Sequence, residues 1–276
     1  MLQRALSPAV LALAILFLAA SASGQSLMMA TTTSTDNTGL LDSLAPKFQQ
    51  DTGIELKWTA VGTGKALELG RNCDVDVLLV HAPRAEKRYI DNGHGVARAR
   101  VMYNDFVLIG PKKDPASVEG HDVEESLQRI EASKATFVSR GDDSGTHKKE
   151  RSLWKRAQGS VPSDESWYLE TGQGMMATIR VAAERGGYTL ADRGTFIKYA
   201  DNYGGRPPLQ VLVAGDKVLF NQYSVIPVNP ERCPAVKHDL AKRFAEWITS
   251  PRAQQAIGTY RMLGQALFTP NAKPAD

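Results

Sequence analysis

The sequence predicts an α/β fold built on a parallel sheet, and three observations carry that expectation. Strand-like and helix-like stretches alternate along most of the chain, which is the order that βαβ units produce. Val75–Val80 is a near-continuous run of valine and leucine, the pattern of a strand covered on both faces. No repeat, low-complexity tract or flexible linker interrupts the series.

The first 24 residues stand apart. Arg4 supplies a short positive region, Ala9–Ala20 is unbroken apolar sequence, and Ser21-Ala22-Ser23-Gly24 offers small residues for cleavage. This is the form of a secretory signal peptide, too short for a comfortable membrane span. No cysteine follows it to take a lipid anchor, and no later stretch is long enough to cross a bilayer. The mature chain is therefore expected to be exported, most simply to the periplasm, without stable membrane insertion.

The elements follow in order. Leu27–Ala30 reads as a strand, Thr38–Gln50 as a helix through Leu40, Leu41, Leu44 and Phe48, and Ile54–Ala60 as a second strand. A short helix at Lys65–Arg71, the strand Val75–Val80 and a helix at Pro83–Ile90 with proline in its first turn complete the opening series. Tyr103–Pro111 is a strand and Asp122–Ser133 an amphipathic helix. The strand Thr136–Val138 leads through a polar loop into a helix opening at Lys148–Trp154. Trp167–Leu169 precedes a Gly172-Gln173-Gly174 turn and a helix at Met175–Glu184. Strands at Leu209–Val213 and Leu219–Pro227 and helices at Ala235–Ile248 and Ala253–Tyr260 end the chain. About 250 mature residues suit one large domain or two lobes. In a two-lobe chain the crossings must lie inside regular structure. Tyr103–Phe106 and Phe220–Tyr223 are the candidates, since both set Asn and aromatic residues within strands.

Charge and cysteines exclude several classes. The formal charge is +3, one unit of it from Arg4, and no aromatic-plus-basic strip points to nucleic acid. The five histidines have no metal-site spacing and two distant cysteines do not make a zinc site. In an oxidising compartment Cys73 and Cys233 either pair as a disulfide or remain free thiols, and the sequence does not give their separation.

Four strand-to-helix turns share one physical character. Ser139-Arg140-Gly141-Asp142-Asp143-Ser144-Gly145-Thr146-His147 joins a buried strand to a helix start, where free N–H groups and the helix dipole favour an anion. Arg140 adds a planar fork of donors matched to an oxyanion. In the plainer reading Ser144 or Asp143 is a helix cap and Arg140 a solvated charge. Thr31–Thr38 holds six hydroxyls in eight residues, more than one cap needs. Gly62-Thr63-Gly64-Lys65 looks like part of a P-loop, but Thr59 replaces the first glycine and Ala66 the magnesium-binding hydroxyl. It still exposes backbone N–H groups to an anion. Gly172-x-Gly174-x-x-Ala177 matches a relaxed dinucleotide pattern, weakly, and reads better as a fourth oxyanion-facing turn. Gly141–Gly145 is not a nucleophile elbow because the serine falls one place late. An exported phosphoester hydrolase using Ser144 and His147 is thus a lesser alternative of a different class.

On Thr31-Thr32-Thr33-Ser34 with Thr38-Gly39, on Val61–Leu67, on Asp74–Pro83, on Ser139–His147 and on Tyr188–Thr195, the sequence resembles the tungstate-binding solute-binding proteins of ABC importers. Together these segments extend over most of the mature chain. The resemblance implies a type II periplasmic-binding-protein fold, two α/β lobes joined by crossover strands with the ligand between them. It implies lobes of 25–104 plus 223–276 and of 105–222. It implies an oxyanion site of Thr33, Ser34, Thr63 and Gly64 from the first lobe and Arg140, Ser144, Thr146, Gly174 and Met175 from the second. No enzymatic activity and no cofactor are implied beyond the ligand, tungstate or molybdate. The implied partners are the importer's permease and ATPase, met by a monomer. Cys73 stands where the family pattern leads one to expect a small residue, which favours the disulfide. The Arg-x-x-x-Ser-Gly-Thr spacing is shared with phosphate-binding proteins of the same fold, so phosphate is the alternative ligand. Asp142 and Asp143 bear on that choice: a carboxylate facing the ligand repels tungstate but accepts the proton of hydrogen phosphate. A tungstate site requires both to point away.

Overall fold

The computed structural model describes residues 25–273; the expected signal segment 1–24 and residues 274–276 lie outside the described residues. Strand β1 (Ser26–Thr32), helices α1 (Thr33–Asp36) and α2 (Leu40–Thr52), β2 (Glu55–Val61), α3 (Thr63–Arg71), β3 (Val77–Val80) and α4 (Pro83–Asp91) follow one another as βα units. The long strand β4 (Ala99–Pro111) then leads to α5 (Val123–Ser133), β5 (Phe137–Ser139), α6 (Gly145–Gln158), β6 (Tyr168–Glu170), α7 (Met175–Arg185), β7 (Thr189–Asp192), α8 (Arg193–Asp201) and β8 (Leu209–Val213). Strand β9 (Phe220–Pro227) returns, followed by α9 (His238–Ile248), α10 (Pro251–Thr259), the small hairpin β10 (Arg261–Met262) and β11 (Gln265–Ala266), and β12 (Thr269–Lys273).

The first lobe's sheet runs β12-β4-β9-β3-β1-β2. Its strands β1, β2 and β3 are parallel, as the βα series requires. Alternate residues along one strand feed opposite cores. Leu27 and Met29 of β1 and Val77 and Leu79 of β3 face one hydrophobic cluster, while Ala30, Leu78 and Val80 face another. A sheet buried on both sides explains why β3 is continuously apolar. The second lobe has the same three-layer form. Phe106 and Leu108 of β4 enter one cluster with Trp154 and Tyr188, and Val107 and Ile109 enter the other with Ile179 and Tyr199.

The sheet is mixed rather than parallel, and β4 and β9 are the reason. Residues 99–105 of β4 pair antiparallel with β9, whereas residues 106–111 pair antiparallel with β7 and β8. One strand thus contributes to both lobes, and antiparallel pairing follows because β9 makes the return journey. Asn104 and Asn221 face each other in register at the crossing. Behind it the Arg193 guanidinium clamps the Asp105 carboxylate with two bonds of 2.5 Å, and Lys198 of α8 donates to the Asn37 carbonyl of the first lobe.

Two local expectations shift and one open alternative is decided. The helix read from Ala235 begins at His238, because the Lys237 backbone N–H is held at 2.8 Å by the buried Asp76 carboxylate and Val236 closes a turn onto Cys233. Helix α8 carried no strong apolar period and was not anticipated. Cys73, at the end of the α3 segment, is bonded to Cys233 after β9, with Cα atoms 5.3 Å apart and a sequence separation of 160. A cross-link over so long a loop stabilises by about 2–5 kcal/mol, largely through the unfolded chain. The Cys73→Ser, Cys233→Ser double variant is therefore expected to melt on the order of 10 °C lower, and calorimetry with and without reductant checks this; wild-type melting indifferent to reduction contradicts it.

Candidate functional site

The turns after β1, β2 and β3 and the loop between β5 and α6 open onto one cleft of about 1110 Å³ between the lobes. Thr33, Ser34, Thr63, Gly64, Arg140, Ser144 and Thr146 line it. Gly174 and Met175 do not: Met175 is buried in the second lobe's core. Their turn nonetheless lies beside Arg140, because the Thr171 hydroxyl donates to the Arg140 carbonyl at 3.2 Å.

In the first lobe most of the clustered hydroxyls have internal duties. Thr31 donates to the Leu79 carbonyl at 2.8 Å, and Thr38 donates to the Thr35 carbonyl at 2.6 Å. Thr32 caps α1 by accepting from the Thr35 N–H, and its hydroxyl lies 2.6 Å from that of Thr35. Thr33 and Ser34 remain toward the cleft. In the neighbouring turn Gly62 caps α3 without a side-chain bond, and open space lies over Gly62 and Gly64. The first N–H groups of α3 are thus accessible to an anion.

The second lobe contributes the arginine. Ser144 caps α6 through the His147 N–H at 3.2 Å, and Gly141 takes a left-handed φ of 62° where a Cβ would press on Glu170. The bend brings Arg140 back over the helix start. Its guanidinium is mostly buried; Nη2 pairs with Asp142, while among the described residues Nε–H has no partner. The aspartates are already engaged. Asp142 also accepts from the Ser144 N–H at 3.2 Å; burial acts to raise its carboxyl, but Ser144 and the Arg140 charge outweigh that and hold it below the usual range. Asp143 sits on the rim with its carboxylate 3.1 Å from Lys148. The Ser144 hydroxyl meets the backbone of His147, and His147 Nδ1 accepts from the Asp143 N–H at 2.9 Å, so the ring's Nδ1 is engaged away from the serine.

Several cleft residues escaped the sequence reading. His81, directly after β3, touches both Thr32 and Ser34 and, on its other side, Asn221. Burial holds its pKa below the usual value, opposed by the Asn221 bond and the charge of Asp192. Asp192 lies in the cleft with its carboxylate capping α8 through Thr195. Arg84, Lys149 and Arg156 also line the space, and burial, then Arg156, depress the Lys149 ammonium. The only advance signal was at the crossing strands, where polar Asn104 and Asn221 stood out. No group of three or more His, Cys, Asp or Glu that could hold a metal ion occurs among the described residues, and none of their helices is long and apolar enough to cross a membrane.

Beneath Arg140, Glu150 of α6 is buried and takes a 2.5 Å bond from the Tyr168 hydroxyl. Burial pushes its carboxyl up to about 7, against the pull of Tyr168. A carboxyl that binds its proton more tightly folded than unfolded adds stability at low pH, and that stability is lost as pH rises from the ordinary carboxylate range through about 7. Since buried His81 acts in the opposite sense, the comparison with Glu150→Gln isolates the effect. The variant is expected to gain stability relative to wild type between pH 5 and pH 8, read by denaturant unfolding; a constant difference across that range contradicts it.

A family model described as a PBP superfamily domain matches residues 19–252. The tungstate-binding protein TupA of Campylobacter jejuni is 49% identical over 240 residues, 87% of this chain and 89% of that protein. The structure of the tungstate-binding protein TupA from Desulfovibrio alaskensis G20 superposes with a TM-score of 0.88 at 64% identity, covering 90% of this chain and all of the other. The crystal structure of the tungstate ABC transporter from Geobacter sulfurreducens has a TM-score of 0.74 at 45% identity, covering 85% of this chain and 98% of the other.

Proposed function

This chain belongs to the PBP superfamily and, within it, to the TupA-type tungstate-binding proteins, and from that membership we propose that it captures tungstate and delivers it to an ABC-type importer. In this reading it works in the periplasm after loss of a signal peptide, as a monomer, and passes its ligand to a permease driven by an ATPase. It is a binder, not an enzyme, and needs no cofactor. The lobes are taken as 25–104 plus 223–276 and 105–222.

The observation that carries the reading is the Arg140 guanidinium, which lines the cleft, keeps a buried Nε–H without a partner among the described residues and already holds the Asp142 carboxylate. A tetrahedral dianion leaving water needs its hydration replaced by donors, each charge-assisted bond contributing about 1.5–3 kcal/mol net. Thr33, Ser34, Thr63 and Gly64 are the proposed donors of the first lobe, and Arg140, Ser144 and Thr146 those of the second. The first turn of α7 at Gly174 and Met175, adjacent to Arg140, adds N–H groups as the lobes close. Hydrogen phosphate is the weaker reading: Asp142 and Asp143 are paired with Arg140 and Lys148 and so poorly placed to take its proton. Hydrolysis is weaker still, since Ser144 is a helix cap rather than a partner of the His147 ring.

A thermal-shift panel of tungstate, molybdate, phosphate and sulfate tests the assignment, because a ligand of the folded state raises melting with its binding free energy. Tungstate and molybdate are expected to shift melting well above the other two; equal shifts for phosphate sink the reading. Arg140→Ala should weaken tungstate binding by about 3 kcal/mol, roughly a hundredfold. Arg140→Lys should rescue little, since the planar fork is lost. Calorimetric titration of both variants decides it, and unchanged affinity removes Arg140 from the site.

A further inference from the structure

His81 joins the first lobe's hydroxyl turn to the strands that cross between the lobes. Its ring stacks on Tyr223 with centroids 4.6 Å apart. Nδ1 lies 2.9 Å from Asn221 Oδ1, and Asn221 Nδ2 donates to Asn104 Oδ1 at 2.9 Å. That bond turns the Asn221 carbonyl oxygen toward the ring. A carbonyl oxygen only accepts, so Nδ1 carries the imidazole proton.

Nε2 of the neutral ring is then an acceptor, with the Thr32 hydroxyl at 2.9 Å and the Ser34 hydroxyl at 3.1 Å. The Thr32 oxygen receives the Thr35 N–H; with the Thr35 hydroxyl donating to it at 2.6 Å both its lone pairs are filled, and its own proton goes to Nε2 at 2.9 Å rather than to the Ser34 hydroxyl at 3.1 Å. Once Nε2 is satisfied from Thr32, the Ser34 hydroxyl keeps its proton for the cleft.

We propose that His81 is a positioning and specificity residue of the oxyanion site: held by Asn221 in its Nδ1–H tautomer, it takes the Thr32 proton, leaves Ser34 as a donor, and makes this side of the cleft admit an anion with no proton to give. The inference rests on the oxyanion reading of the cleft. A hydrogen phosphate brings an O–H that needs an acceptor. Two acceptors serve this side of the cleft: the Asp192 carboxylate, whose two oxygens are bound by Thr195, and Nε2, which Thr32 occupies. The ligand class that fits is a fully deprotonated tetrahedral dianion, and the hinge-strand asparagines set that preference from behind the site.

Nitrogen-15 NMR of the imidazole in the free wild-type protein reads the tautomer directly. A protonated Nδ1 and a bare Nε2 are expected; a protonated Nε2 overturns the inference. Calorimetric titration with sodium tungstate and with inorganic phosphate gives a second arm. His81→Phe keeps the stack on Tyr223 and removes both nitrogens, so its Kd for tungstate should rise about ten- to hundredfold. His81→Gln, whose Oε1 accepts where Nε2 did, should recover much of that loss. Thr32→Val hands Nε2 to the Ser34 proton and should narrow the tungstate-over-phosphate ratio about tenfold. A His81→Phe protein that binds tungstate within twofold of wild type, or an unchanged ratio in Thr32→Val, overturns the inference while leaving the oxyanion reading intact. A wild-type protein that binds neither anion overturns both.

Discussion

An anion taken out of water must meet donors whose protons are uncommitted, and no carboxylate free to repel it. Most features of the cleft answer to that constraint. A bare helix start supplies N–H groups without a side-chain cap at Gly62. Asp142 sits in the loop beside the site, yet its two oxygens are bound by Arg140 and by the Ser144 amide. The pairing neutralises the acid and fixes one edge of the guanidinium. A buried donor without a partner costs stability, and a site that binds by supplying donors has to carry such groups in advance.

The same economy of protons explains why the hydroxyl turn is so dense. Six hydroxyls do not make six ligands. Three of them are buried, Thr35 and Thr38 in the turn's own bonding and Thr31 against the Leu79 carbonyl of β3, which holds the chain in the shape that lets Thr33 and Ser34 face outward. That shape is in turn anchored to β3 and, through His81, to the crossing strands. The cleft is therefore braced at its floor by the segments on which any rotation of the lobes has to turn.

How much of this was legible beforehand follows from what kind of signal each part leaves. The βα series, the double-faced strand at Val77–Val80 and the strand crossings near Asn104 and Asn221 are patterns along the chain, so spacing exposed them. The anion loops were legible for the same reason: glycines, hydroxyls and an arginine at strand-to-helix turns have a local explanation. His81 was not, because a lone histidine after a buried strand carries no spacing of its own, and its partners lie 47 to 140 residues away. Nor could spacing divide the threonines of Thr31–Thr38 into structural and outward ones, since adjacent residues at a helix start differ only in where the turn points them. Helix α8 was missed because its packing against both lobes, rather than an apolar stripe, determines it.

Long-range attraction and close-range selection come from different residues. The whole chain carries only +3, yet Arg84, Lys148, Lys149 and Arg156 line the same cleft as Arg140. Low-dielectric walls focus such a field toward the interior. Lys149 feels that field only after its burial, its ammonium disfavoured first by desolvation and then by the neighbouring Arg156. This field draws in any anion and is screened by salt over roughly 10 Å, so it cannot choose among them. Choice falls to groups that act at contact distance, where a single misdirected hydroxyl proton separates a donor from an acceptor. The dense hydrogen bonding around Thr32, Ser34 and His81 is on the scale at which sulfate-like and phosphate-like anions differ, and the basic rim is not.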